Sequence, residues 1–326
     1  MPSYLSKTKR KGLRKAPQRY VATREEMSMI EMFESFMAFK QTEGLSKFTL
    51  DDYYTHFRWF MEYAQTDVSR SEMTVELFRG YISYMLNDLG VTPVTVNLRI
   101  RTLRAFLRHS YNEGLLDTPI HEKFKPMKTD QEQIEAFTPS EVKRLLNVID
   151  DTLYVGFRDR AMIYVMLDTL VRASELLNMK RENVDLKNGL IRLEAGQTKT
   201  KRSRDVPISA YTIKLLRQYI QETEDFNEDL LFLTYDGKQI ASNTWRKRLL
   251  DLAEKANIHN KRVSQHTFRH TGALFYIMNG GDPFSLQKIL GHTDMSMVKR
   301  YIQMSSTDIK RQHNSYTPLK SVLKTK

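Results

Sequence analysis

The chain has 326 residues, 40% of them hydrophobic, which is enough apolar material for two domains with cores of their own. It has no cysteine, which excludes disulfides and thiolate metal sites and fits a reducing cytoplasm. No apolar run reaches the length of a membrane span and none follows the charged N-terminus as in a secretory signal; the formal charge of +12 suggests an anionic partner, most simply nucleic acid.

Residues 1–23 hold Lys7, Lys9, Arg10, Lys11, Arg14, Lys15 and Arg19 and no acid, seven of the twelve net charges, without apolar periodicity. They read as a flexible basic arm. Residues 24–114 read as four helices. Thr23 and Glu26 have capping-box spacing for the first, with Ile30, Phe33 and Met37 on its inner face. Thr49 and Asp52 open the second, where Tyr53, Phe57, Phe60 and Ala64 form a stripe. Thr74 caps the third, with Phe78, Ile82, Met85 and Leu89 inside and Gly90 ending it. Thr92-Pro93 starts the fourth, whose Val96, Ile100, Leu103 and Leu107 pack. Arg101, Arg104 and Arg108 form another face of that helix. Three cations with no acid between them suit a DNA backbone, and ordinary solvated surface is the alternative.

From 115 to 137 the pattern breaks at Pro119, Pro126 and a polar run, as in an extended linker. A second domain, 138–303, opens at Thr138-Pro139-Ser140-Glu141, where an N-cap, an N1 proline and a capping-box glutamate coincide. Helices are expected near 140–149, 156–170, 210–223, 243–257, 265–279, 283–290 and 296–303. Ile191 and Leu193 alternate with polar residues, and Val206 to Ile208 returns after a basic stretch, as in a small antiparallel sheet. Leu230 to Leu233 does not fix its own type. Residues 304–326 form a tail.

Chemistry concentrates between Ser264 and Gln303. His266 and Arg269 share a helix face near its N-terminus, His270 follows, His292 comes after Gly291, and Tyr301 lies nine residues further on. Phosphate oxygens need fixed cations, and a covalent step on phosphorus needs a nucleophile such as a phenol. Spacing of i, i+4 between His266 and His270 also suits zinc, but Thr267 stands where a catalytic glutamate would be, and no third ligand motif is present. The order H-x-x-R-H, L-G-H, tyrosine resembles the carboxy-terminal box of the tyrosine recombinases, the phage-integrase family. Thr169 to Leu176 (TLVRASEL) resembles that family's first arginine box, T-G-L-R-x-S-E-L, with Leu170 in place of the glycine. Read alone, the segment suits an ordinary Arg172–Glu175 ion pair. The T-K-T around Lys199 resembles the family's hairpin lysine, and Lys201 is the alternative. The T-x-x-x-Y-x-x-x-F-x-x-F run from Thr49 and the N-x-x-x-x-x-L-R-x-F run from Asn97 resemble its core-binding domain.

The resemblance implies a multidomain, mainly α protein with a small antiparallel sheet: a helical core-binding domain and a mixed α/β catalytic domain clamped around duplex DNA. It implies that Tyr301 attacks the scissile phosphate to give a 3′-phosphotyrosine, with Arg172 and Arg269 on the phosphate oxygens. His266 and His292 would hydrogen-bond the phosphate, His266 handling the tyrosine proton, while His270 supports the helix. Lys199 would protonate the leaving oxygen. No cofactor or metal is implied, and four protomers would act on paired double-stranded sites. A DNA-binding regulator that has lost recombination fits the same fold, and a type IB topoisomerase fits the residues but less well the compact two-domain layout.

Overall fold

The computed structural model describes residues 27–129, 134–196, 202–226, 228–291, 295–304, 313–314 and 316–319. The chain divides after Gln131 into two compact units.

The first unit is helical: α1 (Met29–Thr42), α2 (Lys47–Ala64), α3 (Val75–Asn87), α4 (Pro93–Asn112) and the one-turn α5 (Ile120–Lys123). The box at Thr23 and Glu26 lies outside the described residues. Helix α1 is capped by Ser28, whose side chain accepts from the Glu31 N–H while Glu31 accepts from the Ser28 N–H. Starting at Met29, the i, i+3, i+4, i+7 frame buries Met29, Met32, Phe33 and Phe36, together with Met37. Ile30, expected inside, is 42% exposed. Helix α2 is capped three residues before the expected Thr49, at Ser46, which accepts the Thr49 N–H. Thr74 and Thr92-Pro93 start α3 and α4 as expected. Helix α3 ends at Asn87, so Leu89 points outward. Phe33 stacks on Phe57 with ring centroids 3.7 Å apart, and Phe60 on Phe78 at 5.3 Å. These aromatics are core, not a base-stacking platform.

The stretch expected to be extended from residue 115 folds back into this unit. Leu115, Leu116, Ile120 and Phe124 are buried in the same core. The Asn97 amide exchanges hydrogen bonds of 2.9 and 2.8 Å with the Met127 backbone. Prolines mark where the chain turns here, but its leucines and phenylalanine have an apolar face to join. The Arg104 Nε donates to the His121 carbonyl at 2.9 Å, so this arginine is half-buried and ties α4 to α5, whereas Arg101 and Arg108 are exposed.

The second unit carries α6 (Pro139–Asn147), α7 (Tyr154–Thr169), α8 (Ala173–Leu177), β1 (Val184–Asp185), β2 (Leu190–Leu193), β3 (Arg204–Pro207), α9 (Ala210–Glu222), α10 (Ser242–Lys255), α11 (Gln265–Met278), α12 (Pro283–Leu290) and α13 (Ser296–Met304). The capping box at Thr138 and Glu141 forms as expected, and Lys261 adds an ion pair of 2.8 Å to Glu141. The sheet is antiparallel in the order β1-β2-β3, with Ile191 opposite both Val184 and Val206. Leu230 to Leu233 makes two isolated bridges rather than a strand. Two apolar clusters result. One, around Met162, Val165, Ile191, Val206, Trp245 and Phe268, joins the sheet to α7, α10 and α11. The other gathers Leu170, Ala273, Ile277, Leu286, Leu290, Val298 and Tyr301. This second cluster positions the site.

Candidate active site

Helix α7 ends at Leu170, which adopts the left-handed conformation (φ 57°, ψ 27°) that favours glycine. A leucine there carries strain of roughly 1–2 kcal/mol. Its side chain is 1% exposed and packs into the second cluster. Across from it stands Gly272 of α11, where a Cβ would collide with the Leu167 carbonyl and with Leu170 itself. The missing side chain at 272 thus makes room for the extra one at 170. Leu170→Gly relieves the strain but removes a buried side chain worth roughly 2–5 kcal/mol in a leucine-to-alanine change. We expect net destabilisation of roughly 1–3 kcal/mol in denaturant melts. Leu170→Ala, which keeps the strain, should be the less stable of the two. An alanine variant as stable as the glycine one would contradict this account.

The turn at Leu170 sets up a cluster of charge. Arg172 caps α8; its N–H donates to Glu175 Oε2 at 2.8 Å and its Nη1 to Oε1 at 3.0 Å. Glu175 is fully buried and also receives a two-pronged contact from Arg204 of β3, at 2.9 and 2.8 Å. Burial pushes the Glu175 carboxyl up, but the Arg204 hydrogen bonds and the Arg172 N–H outweigh it and hold it below its ordinary value. Arg204 also donates through Nε to the Ile289 carbonyl at 3.1 Å. Its guanidinium lies so close to Gly291 that a Cβ there would sit 3.1 Å from it, and Gly291 has φ +64°. The glycine of L-G-H is therefore needed for conformation and for space.

Arg269 of α11 completes the cluster. It is 5% exposed and donates to the carbonyls of Leu170 and of Leu290, the latter at 2.7 Å. Burial first, then repulsion from Arg172, pushes its pKa down to about 10, which leaves it charged at neutral pH. Three guanidinium charges (Arg172, Arg204, Arg269) face one carboxylate (Glu175), a surplus of two positive charges. Such a surplus at a partly buried place favours an oxyanion.

Tyr301 of α13 is 2% exposed, and its hydroxyl shares a 2.6 Å hydrogen bond with His270 Nδ1. Burial raises its pKa, while the charges of Arg269 and Arg300 act in the opposite direction. His266, one turn before His270, is exposed and lines a cleft of about 570 Å³ with Glu135, Arg262, Thr267, His270 and Arg300. The structure thus brings Arg172, Arg269 and Tyr301 together, with His266 on the neighbouring cleft wall. The histidine on the tyrosine hydroxyl is His270, which had been expected only to support the helix. Lys199, Lys201 and His292 lie outside the described residues. Arg204 was not singled out from the sequence; the available signal was a cation two residues before the apolar Val206 to Ile208.

Comparison with known proteins gives the family and the fold. Residues 135–307 match the model of the "Phage integrase family" and residues 28–126 that of the "Phage integrase SAM-like domain". The tyrosine recombinase XerD of Staphylococcus aureus (strain Mu50) is 28% identical over 306 residues, covering 89% of this chain and 99% of that protein. XerD of Listeria innocua serovar 6a is 25% identical over 300 residues, with the same coverage. In fold, the chain resembles the Tn1549 transposon integrase solved with circular intermediate DNA, with TM-score 0.73 and 17% identity over 89% of this chain and 98% of that one. It also resembles the lambda integrase tetramer bound to a Holliday junction, with TM-score 0.71 and 15% identity over 87% and 79%. The chain belongs to the phage integrase family of tyrosine recombinases.

Proposed function

We propose that this site-specific tyrosine recombinase cleaves and rejoins DNA strands through a covalent 3′-phosphotyrosine at Tyr301. The observation that carries the reading is the surplus of guanidinium charge around Glu175 with the Tyr301 phenol beside it. Arg269 and Arg172 hold the non-bridging phosphate oxygens; Arg172 has five N–H donors and spends one nitrogen on Glu175. His266 and His292 hydrogen-bond the phosphate. Arg204 is a positioning residue, because it acts on the site through Glu175 and the turn at Gly291. Leu170 takes the backbone conformation that favours glycine, which supports retained chemistry over a regulator that only binds.

The partner is double-stranded DNA, engaged by a tetramer on paired sites, as the lambda integrase tetramer engages a Holliday junction. The helical unit serves as the core-binding domain, with Arg101, Arg108 and the basic arm on the DNA backbone, and Lys201 joins them from the second unit. No described helix is long and apolar enough to cross a membrane, and we place the protein in the cytoplasm with its DNA. A nicked half-site that loses its short product strand tests the reaction: a recombinase is trapped covalently. A mobility shift with no adduct surviving denaturation would leave only a DNA-binding regulator.

Lys199 is the general acid in this reading. A phenolate displaces a far more basic 5′-alkoxide uphill unless that oxygen is protonated, help worth on the order of a hundred- to ten-thousandfold. Lys199→Ala should therefore cleave a normal strand slowly and a strand with sulfur at the bridging 5′ position at nearly the wild-type rate. If sulfur rescues Lys201→Ala instead, Lys201 is the acid.

A further inference from the structure

We propose that His270 is the base that removes the Tyr301 proton during strand cleavage and returns it during rejoining. The inference rests on Tyr301 being the nucleophile and goes further by assigning the proton transfer to a histidine outside the residues already given roles at the phosphate.

The phenol sits where solvent does little to ionise it. Its ring is embedded among Leu170, Ala273, Ile277, Leu286, Leu290 and Val298. Burial holds the hydroxyl in its neutral form more strongly than the two nearby arginines release it. A neutral phenol is a weak nucleophile, so an acceptor within hydrogen-bond reach is required at the moment of attack. His270 Nδ1 is that acceptor at 2.6 Å, with the two rings tilted 47° and 5.9 Å apart.

His270 also borders the cleft: it is half-buried, with the phenol at Nδ1, and it forms part of the cleft wall. The charged and titratable groups facing that cleft are His266 on the same helix, Arg300 on α13, Arg262 before α11 and Glu135 before α6. The two arginines disfavour an imidazolium and Glu135 favours one. With Nδ1 accepting from the phenol, a neutral imidazole carries its own proton on Nε2. His266, exposed one turn earlier, remains a phosphate ligand.

The step balances as follows. The Tyr301 oxygen forms a bond to phosphorus as its proton passes to His270 Nδ1, giving an imidazolium. The bond from phosphorus to the 5′-oxygen breaks with its electron pair, and that oxygen takes a proton from the general acid. In rejoining, the 5′-hydroxyl attacks, the general acid recovers its proton, and the departing phenolate takes the proton back from His270.

The test is the single-turnover rate of adduct formation on a nicked half-site, for the full-length wild type, His270→Ala and His270→Asn. Each is prepared with tyrosine or with the more acidic difluorotyrosine at position 301. The asparagine keeps a polar group beside the hydroxyl but takes no proton; melting temperature and half-site affinity establish that it folds. With ordinary tyrosine at neutral pH, both variants should be slower by about a hundredfold or more. Difluorotyrosine should restore most of that loss, because an acidic phenol needs less help. The wild-type rate should fall in acid as the accepting imidazole becomes protonated, and His270→Asn should lose that dependence. Variants that match wild type, or that are equally slow with both phenols, overturn the assignment and leave His270 a packing residue. A wild type that forms no adduct overturns the recombinase reading and this inference together.

Discussion

Tyr301→Phe should bind its DNA site with wild-type affinity and form no covalent adduct. The change deletes one oxygen and leaves the ring in the apolar cluster with Leu170, Leu290 and Val298. It removes the hydrogen bond to His270, whose net worth is about 1 kcal/mol, and the apolar surroundings suit phenylalanine, so the fold tolerates it. Binding and chemistry therefore separate at this position. The nicked half-site reads both: a retarded band under native conditions, and free labelled strand after denaturation. Labelled DNA still attached to the variant under denaturing conditions would transfer the nucleophile's role to another residue.

Glu175→Ala should cost about 3–5 kcal/mol of stability, the usual consequence of removing one partner from a buried ion pair. The buried carboxylate joins α8 to β3 through Arg172 and Arg204. Without it, three guanidinium groups repel one another, and Arg204 loses what holds it beside Gly291. Urea or thermal melts measure the loss; a variant within about 1 kcal/mol of wild type would show the pair to be no stronger than an exposed one. The pH dependence has a definite sign. The folded carboxyl has a lower pKa than the unfolded one, so its contribution is complete above the unfolded value of about 4.3. It is lost as pH falls through the folded value. The stability gap between wild type and Glu175→Gln should accordingly be largest near neutrality and close in acid.

Features confined to one helix were mostly legible in the sequence. Thr74, Thr92-Pro93 and the box at Thr138 and Glu141 announced their helices because a cap acts within four residues. The misreadings here were small: on α1 Ile30 faces outward while Phe33 and Met37 are buried as expected, and on α2 the cap is Ser46 while the expected stripe packs. The order of Arg172, Arg269 and Tyr301 was visible from the motifs. What spacing did not reveal was pairing between elements. Arg204 meets Glu175 from 29 residues away, and His270 meets Tyr301 from 31. Nor did a leucine at 170 disclose its compensation, since the space it fills is left by Gly272 on another helix. The residues from 115 onward were misread because prolines and polar residues outnumbered the few apolar side chains that dock.

Arg204 has a mechanical consequence. It stands on β3, five residues after Lys199 in sequence, and its side chain grips the carbonyl of Ile289 and abuts Gly291, which precedes His292 in sequence. This doubly anchored side chain ties β3 to the turn at Gly291, so neither can shift without straining the other. On the roles proposed for Lys199 and His292, which flank these two segments in sequence, a subunit contact that shifts β3 would be felt at both.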